Sequence, residues 1–339
     1  MYPSIRCAQA VLILAAISIA VSCGTPERTR SRRPTGDELE APKAFGDERE
    51  DALRPGDAPE ERGPGGPSRP SAAAVARRAL VLRSLGMISI SPRPNEKASS
   101  ATLEFFEMER QRMVTWLRRE KLWETASAEE KTLLSTPIGM KPTGSLDPAK
   151  DWREELTVTL WALDEVKRMP EYDTPALGLS FLSRRYLPSV GTLTGDFIQN
   201  ASLRPAGEID HEKEKAEIWH WRALARDRID RQEFPEGKEL ALLIKDLEKK
   251  AIESGFRIRA MPDGKTFFQE LLRFSAFYAH QKGLIPRPIH EDFPMLGQKY
   301  EALSEKQFQR VRKLTDERLH ALKWLVGEGA DWAGISLDE

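Results

Sequence analysis

Apolar residues recur along most of this chain at intervals of three and four positions, the spacing that places side chains on one face of an α-helix. The clearest example is SATLEFFEMERQRMVTWLRREKLW, which begins at Ser100. The apolar members of this segment predict the core contacts Phe105, Met108, Met113, Trp116 and Leu117. The pattern therefore favours a mainly α protein.

Capping residues predict where several helices begin and end. Ser71 is placed to begin the first helix and Gly86 to end it, and the MISIS segment that follows predicts a short strand. The Asp-Pro pair at 147–148 predicts the start of a helix that ends near Met169. One face of this helix carries the apolar residues Trp152, Leu156, Leu160 and Leu163.

The second half of the chain follows the same pattern. FRIRAMPDGKTFFQ predicts a strand, a turn at 262–264 and a helix that begins at Thr266 with Gln269 as its capping partner. TDERLHALKWLVG predicts a last helix that begins at Thr315 and ends at Gly327. Together these elements predict a single multi-helix domain with at most a few short strands.

The amino-terminal segment has a different character. The run from Ala10 to Val21 contains no charge and is shorter than the roughly 20 residues that span a bilayer. It ends before Ser22-Cys23, and small residues ahead of a cysteine resemble the lipobox of bacterial lipoproteins, although Ala20 stands where leucine is usual. We predict a signal peptide over residues 1–22 and lipid attachment at Cys23. An uncleaved anchor or an ordinary secretory signal is the alternative.

The next segment, residues 23–70, is rich in Pro, Gly and charged residues and poor in apolar ones. Such a composition predicts a disordered linker, because it cannot bury enough surface to offset the entropy of ordering. The helical domain is then expected over residues 71–339. Gly24 after the cysteine favours sorting to the outer membrane, so we expect a lipid-anchored protein of the bacterial cell envelope with the membrane as a partner.

Charge and cysteine content narrow the possible functions. The chain carries 52 Lys+Arg and 53 Asp+Glu, so it lacks the basic excess of a general nucleic-acid binder, and no nucleic-acid partner is expected. Cys7 and Cys23 are its only cysteines. The predicted helical domain therefore contains neither a disulfide nor a cysteine metal site.

Four segments taken together resemble a known family. They are Trp152–Leu163 (WREELTVTLWAL), Leu203–Ile209 (LRPAGEI), Asp292–Lys299 (DFPMLGQK) and Glu317–Leu325 (ERLHALKWL). The chain resembles, from about Ala74 onward, a bacterial family of mostly helical proteins that is known only as a domain of unknown function. The resemblance implies one continuous domain and carries no activity with it.

Several charged residues of these segments lie beside tryptophans on predicted helices. We interpret them as ion pairs at helix crossings, where an unpaired charge would be costly. The residues are Arg153, Glu154, Arg204, Glu208, Glu317 and Arg318. A polar active site is the alternative interpretation.

Two Glu-His pairs offer the best candidate chemistry. Glu217 and His220 are three residues apart, as are Glu317 and His320, so each pair shares a helix face. Di-iron carboxylate bundles use two such pairs with two further glutamates, which we cannot assign in this glutamate-rich chain. The sequence contains no Gly-x-Ser-x-Gly elbow, no phosphate-binding Gly-x-x-x-x-Gly-Lys loop and no dinucleotide fingerprint.

These observations lead to two functional hypotheses. The first is a non-catalytic, lipid-anchored module that binds a protein or another envelope component and needs no cofactor. The alternative is a metal-dependent enzyme or hydrolase that uses the Glu-His pairs.

Overall fold

The computed structural model describes residues 68–93, 96–141, 146, 150–329 and 331–337. These residues form a mainly α protein, as the sequence predicts, with ten α-helices and one small two-stranded sheet. None of the helices in these ranges combines the length and the apolar character needed to cross a membrane.

Some of the predicted features lie outside the described residues. They include the signal peptide with Cys23, the linker up to residue 67, and the Asp-Pro pair at 147–148. The last residues of the predicted linker are described, and Arg69 forms an ion pair of 2.5 Å with Asp210. Arg69 therefore belongs to the folded part of the chain.

In chain order the helices are α1 (Ala72–Ser89), α2 (Ser100–Arg119), α3 (Ala128–Ser135), α4 (Arg153–Ala162), α5 (Leu179–Tyr186), α6 (Gly195–Gln199), α7 (Ala206–Asp230), α8 (Gly237–Glu253), α9 (Gly264–Gln281) and α10 (Glu305–Val326). Short 3₁₀ helices lie at Trp123–Thr125 and Tyr300–Ala302. The strands β1 (Pro294–Met295) and β2 (Gln298–Lys299) pair antiparallel across a two-residue turn.

Two helices, α1 and α4, form the centre of the fold and are buried over most of their surface. α1 packs against α4, and α4 packs in turn against α10. α10 also lies along α7, which contacts α9, and α8 packs on α9. Because α1 and α4 are covered on nearly all sides, their inward-facing charged side chains must find partners in the interior.

The end of α1 differs from the prediction. The helix continues through Gly86 to Ser89, so both the predicted end at Gly86 and the predicted MISIS strand are wrong. A Cβ atom at position 86 would lie 3.0 Å from two methyl carbons of Leu179 on α5. This glycine allows two helices to approach closely, a role that sequence alone does not distinguish from that of a helix end.

The helix predicted to end near Met169 is shorter than expected. α4 covers only Arg153–Ala162, and because residues 150–152 are not helical, the predicted start at the Asp-Pro pair is wrong as well. After α4 the chain turns at Asp164, whose φ is 59°. The side chain of Arg204 completes this end, because its Nε atom donates to the carbonyl oxygen of Trp161 at 2.7 Å. An arginine distant in sequence therefore donates to a carbonyl that would have accepted a hydrogen bond within the helix if α4 were longer.

The predicted strand in FRIRAM is absent from the described structure, where residues 256–261 form an irregular segment. The backbone N–H of Arg259 donates to the carboxylate of Glu270 at 3.1 Å instead of joining a sheet. Alternating apolar residues here pack an extended segment against α9 without a partner strand.

The starts of α9 and α10 are earlier than predicted, whereas the end of α10 is confirmed. α9 begins after Asp263, which caps the helix by accepting from the N–H of Thr266 at 2.8 Å. α10 begins after Ser304, and Thr315 lies within the helix. Gly327 ends α10 in the left-handed conformation, with a φ of 83°.

The outward face of α2 contains a further correction. Phe105 and Met108, predicted to be core contacts, are 53% and 57% exposed. Met113, Trp116 and Leu117 are buried as predicted. Apolar residues therefore lie on both the inner and the outer face of α2.

Candidate functional site

The two adjacent glutamates of α4 are buried in the centre of the fold. Glu154 accepts from the Nε atom of Arg318 on α10 at 2.9 Å and from the backbone N–H of Ala176 at 2.7 Å. The remaining guanidinium nitrogens of Arg318 donate to the backbone carbonyls of Pro170, at 2.6 Å, and Thr174, at 2.8 Å. This arginine therefore connects α10, α4 and the loop after α4.

Glu155 has no solvent exposure and forms a second buried centre. Its Oε1 atom lies 2.9 Å from the Nζ atom of Lys150 and 3.1 Å from the Nδ1 atom of His320, although the imidazole lacks the alignment of a hydrogen bond. Burial raises the pKa of Glu155, but the nearby His320 and Lys150 outweigh that effect and lower it overall. Glu155 is therefore ionised at neutral pH.

Glu317 lies close to this centre, and its pKa is shifted in the opposite direction. Burial, followed by the charge of Glu155, raises the pKa of Glu317 from 4.5 to about 8. Its nearest cation is Lys313, whose Nζ atom is 3.9 Å away. The pKa values of these two neighbouring carboxyl groups are therefore shifted in opposite directions.

The structure brings together some, though not all, of the six residues that we interpreted as ion pairs. Glu154 pairs with Arg318 across a helix crossing. Arg204 pairs with Glu208 at 3.2 Å, four residues further along the chain. Arg153 pairs with Asp151 instead, at 2.5 Å, and the partner of Glu317 is Lys313.

The two predicted Glu-His pairs have separate partners. His220 on α7 faces α10, where its Nδ1 atom lies 2.7 Å from the Oδ1 atom of Asp316, the residue before Glu317. Glu217 pairs with Lys213 at 2.8 Å, and His320 approaches Glu155. Across the described ranges, no group of three or more His, Cys, Asp or Glu side chains has an arrangement that could hold a metal ion.

A cleft of about 230 Å³ lies between the end of α1, the middle of α2 and the chain at Ser189–Val190. Its walls are partly apolar, with Met87, Phe106 and Met113 among the contributing residues. Arg83, Arg110 and Arg112 supply positive charge to the same cleft. None of the site residues predicted from the sequence lines this cleft.

The five buried arginines of the described structure differ in their partners. They are Arg78, Arg83, Arg110, Arg222 and Arg318. Four of them form an ion pair with a carboxylate, respectively Arg78 with Glu130, Arg110 with Glu107, Arg222 with Asp292 and Arg318 with Glu154. Arg83 forms no ion pair with a carboxylate of the described ranges.

Arg83 is 8% exposed, yet its hydrogen bonding is incomplete. Its Nη1 atom donates to the carbonyl oxygen of Pro188, its guanidinium lies 5.7 Å from the ring centroid of Trp116, and its Nε atom has no hydrogen-bond partner. Burial lowers the pKa of Arg83 from 12.5 to about 10. A lone arginine within the apolar run of α1 is the sequence signal that could have drawn attention to this residue.

These features define a class: a mainly α protein whose central helices carry paired buried charges and whose cleft contains one unpaired arginine. The chain belongs to the family described as domain of unknown function DUF4272, whose model matches residues 59–244. The match begins before the predicted Ala74 and contains the whole cleft, whereas α10 lies beyond it. No curated protein and no solved structure matches the chain.

Proposed function

We propose that this protein is a lipid-anchored binding module of the bacterial cell envelope. The observation that carries the binding proposal is the cleft between α1 and α2, where an apolar wall adjoins the buried guanidinium of Arg83. Ligand sites typically combine an apolar lining with a few polar groups that fix orientation. A guanidinium with no carboxylate partner among the described residues is such a group.

The anchoring proposal rests on the amino-terminal sequence. An apolar run of signal-peptide length precedes Cys23, and a hydrophilic segment separates this cysteine from the first described residue at position 68. A flexible chain of that length has a typical end-to-end distance of about 40 Å. The cleft would then operate close to the membrane surface that holds the protein.

Fractionation of bacterial cells tests the anchor. The wild-type protein should sediment with outer membranes and incorporate labelled palmitate, whereas a Cys23→Ser variant should be unlabelled and leave the outer-membrane fraction. Equal labelling of the two proteins, or wild type recovered without lipid, would disprove the anchoring proposal.

Photocrosslinking in cells tests the binding proposal. A photoreactive residue is placed at Ser189, on the rim of the cleft, and in a control at Lys249, which is exposed on the distant helix α8. A discrete adduct should form from position 189 alone and should weaken in an Arg83→Gln background. Identical adduct patterns from both positions would contradict binding in the cleft.

Acid–base catalysis is a second candidate function, favoured by the contrast between Glu317 and Glu155. Glu317, which is 8% exposed and has a pKa of about 8, would be the proton donor, and the ionised Glu155 beside it would keep that pKa raised. A hydrolase substrate panel tests this candidate. Turnover that Glu317→Gln abolishes and Arg83→Gln retains would favour an enzyme, whereas unchanged turnover in Glu317→Gln would exclude this pair.

A further inference from the structure

We propose that the cleft between α1 and α2 binds a monocarboxylate with an apolar body. The carboxylate pairs with the guanidinium of Arg83, and the apolar body packs against Met87, Phe106 and Met113. This inference rests on the proposed binding function and names the chemical class of its ligand.

The contrast among the buried arginines supports an anionic ligand. Burying a charge is costly unless an opposite charge is close, and Arg78, Arg222 and Arg318 each have a carboxylate within the protein. Arg83 is also buried, at 8% exposed against 1% or less for these three, and has one backbone carbonyl as its hydrogen-bond acceptor. A bound carboxylate would supply the missing opposite charge to the guanidinium where it lines the cleft.

The other charged residues of the cleft favour a monoanion over a dianion. Arg110 is already engaged by the carboxylate of Glu107, with donor–acceptor distances of 2.5 and 2.8 Å. Arg112 is 3.6 Å from the carboxylate of Glu109 and donates to the carbonyl of Val190 at 3.1 Å. Glu109 itself lines the cleft, and its negative charge opposes a second charge on the ligand.

The size and lining of the cleft favour an apolar body. The volume of about 230 Å³ exceeds the roughly 150 Å³ of an engineered apolar cavity that accepts benzene. The exposed side chain of Arg112 marks the opening to solvent. Two sources present the required chemistry, namely a free fatty acid and the carboxyl terminus of a peptide that ends in apolar residues.

Calorimetric titration of the full-length Cys23→Ser protein tests the carboxylate. Octanoate is the first probe, and octanamide is its uncharged control. We expect octanoate to bind at least about tenfold more tightly than octanamide, because a charge-assisted pair to arginine is lost in the amide. Equal affinities, or no binding of any carboxylate probe, would overturn the proposal.

Variants then assign the site. Arg83→Gln should weaken octanoate binding at least about tenfold, whereas the matched control Arg185→Gln, at an exposed position of α5, should leave it unchanged. Ser189→Trp obstructs the rim without altering the interior and should also abolish binding. If circular dichroism shows that Arg83→Gln is unfolded, Ser189→Trp decides the outcome. Full affinity in a folded variant of either kind would place the ligand elsewhere.

A second titration distinguishes the two sources of the carboxylate. It also distinguishes failure of the carboxylate proposal from failure of the proposed binding function. The affinity of acetyl-Leu-Leu with a free carboxyl group is compared with that of octanoate, and its carboxamide serves as the uncharged control. Tighter binding of the peptide acid indicates a peptide terminus as the ligand, and tighter binding of octanoate indicates a fatty acid. If neither acid binds while the adduct from Ser189 persists in cells, the carboxylate class is wrong and the binding function stands. If neither acid binds and no adduct forms from Ser189, both the carboxylate class and the binding function are disproved.

Discussion

At the scale of single residues, Glu317 shows how burial controls charge. The carboxyl group lies in the interior beside the ionised Glu155, and its pKa is raised to about 8. Between pH 4.5 and about 8 the folded protein holds a proton that the unfolded chain has released. The free energy of unfolding therefore falls as the pH rises through this window, and the stabilisation from this proton is gone above it.

Replacing Glu317 with glutamine tests this assignment, because the amide resembles the protonated acid at every pH. We expect Glu317→Gln to match wild type at pH 5 and to exceed its free energy of unfolding by about 1–3 kcal/mol at pH 9. Urea unfolding at both pH values provides the measurement. An effect of equal size at the two pH values would contradict the raised pKa.

Arg318 makes a different prediction, because its guanidinium is fully buried and holds both Glu154 and the loop after α4. Arg318→Met would leave the buried carboxylate of Glu154 without its charged partner and several carbonyls without donors, so we expect a loss of about 3–5 kcal/mol in the free energy of unfolding. The double variant Glu154→Leu/Arg318→Met should recover part of that loss, because it removes the stranded charge. Additive losses in urea unfolding would show that the two residues are not coupled.

At the scale of elements, α10 shows where a capping signal acts. Ser304 forms a capping box with Gln307 and begins the helix, whereas the Thr315 hydroxyl donates to the carbonyl of Val311 at 2.9 Å within it. A serine or threonine can serve either role, since both bond readily to nearby backbone groups. The side chains of Phe308 and Val311, which pack in the core, determine that the earlier site is used.

Paired substitutions distinguish the two possible starts of α10. Ser304→Ala should lower the free energy of unfolding by about 1 kcal/mol through loss of the cap. Thr315→Val keeps the shape of a buried side chain and should change it by a smaller amount. The two are compared by thermal unfolding, and a larger loss at Thr315 than at Ser304 would support the later start.

At the scale of the whole molecule, the matched family region does not coincide with a structural unit. The match ends at residue 244, within α8, yet the buried Glu154 and Glu155 of α4 receive Arg318 and His320 from α10. The carboxylates inside the matched region thus depend on a helix beyond it. The chain up to 244 is therefore incomplete as a folded body.

Two truncated chains test this dependence. A chain that ends at residue 244 lacks α10 and should fail to unfold cooperatively, because its buried carboxylates have lost their partners. A chain that ends at Gly329 retains α10 but lacks Trp332, which packs against Arg78 and His320. We expect it to fold with a loss of about 3–5 kcal/mol. Cooperative urea unfolding of the shorter chain would refute the requirement for α10.

The sequence by itself determined the mainly α class and those features that depend on neighbouring residues. Ser71 begins α1 and Gly327 ends α10 as predicted, because capping involves groups within one turn. It also selected Glu154 and Arg318 as members of ion pairs, since charges in an apolar helical setting require partners.

Only the tertiary structure decided which distant groups meet. Gly86 permits contact with Leu179 instead of ending a helix, Phe105 faces outward, and His220 meets Asp316 across a helix crossing. The unpaired state of Arg83 is likewise a property of everything around it. Local periodicity indicates which face of a helix is apolar, whereas long-range contacts depend on how whole helices pack against one another.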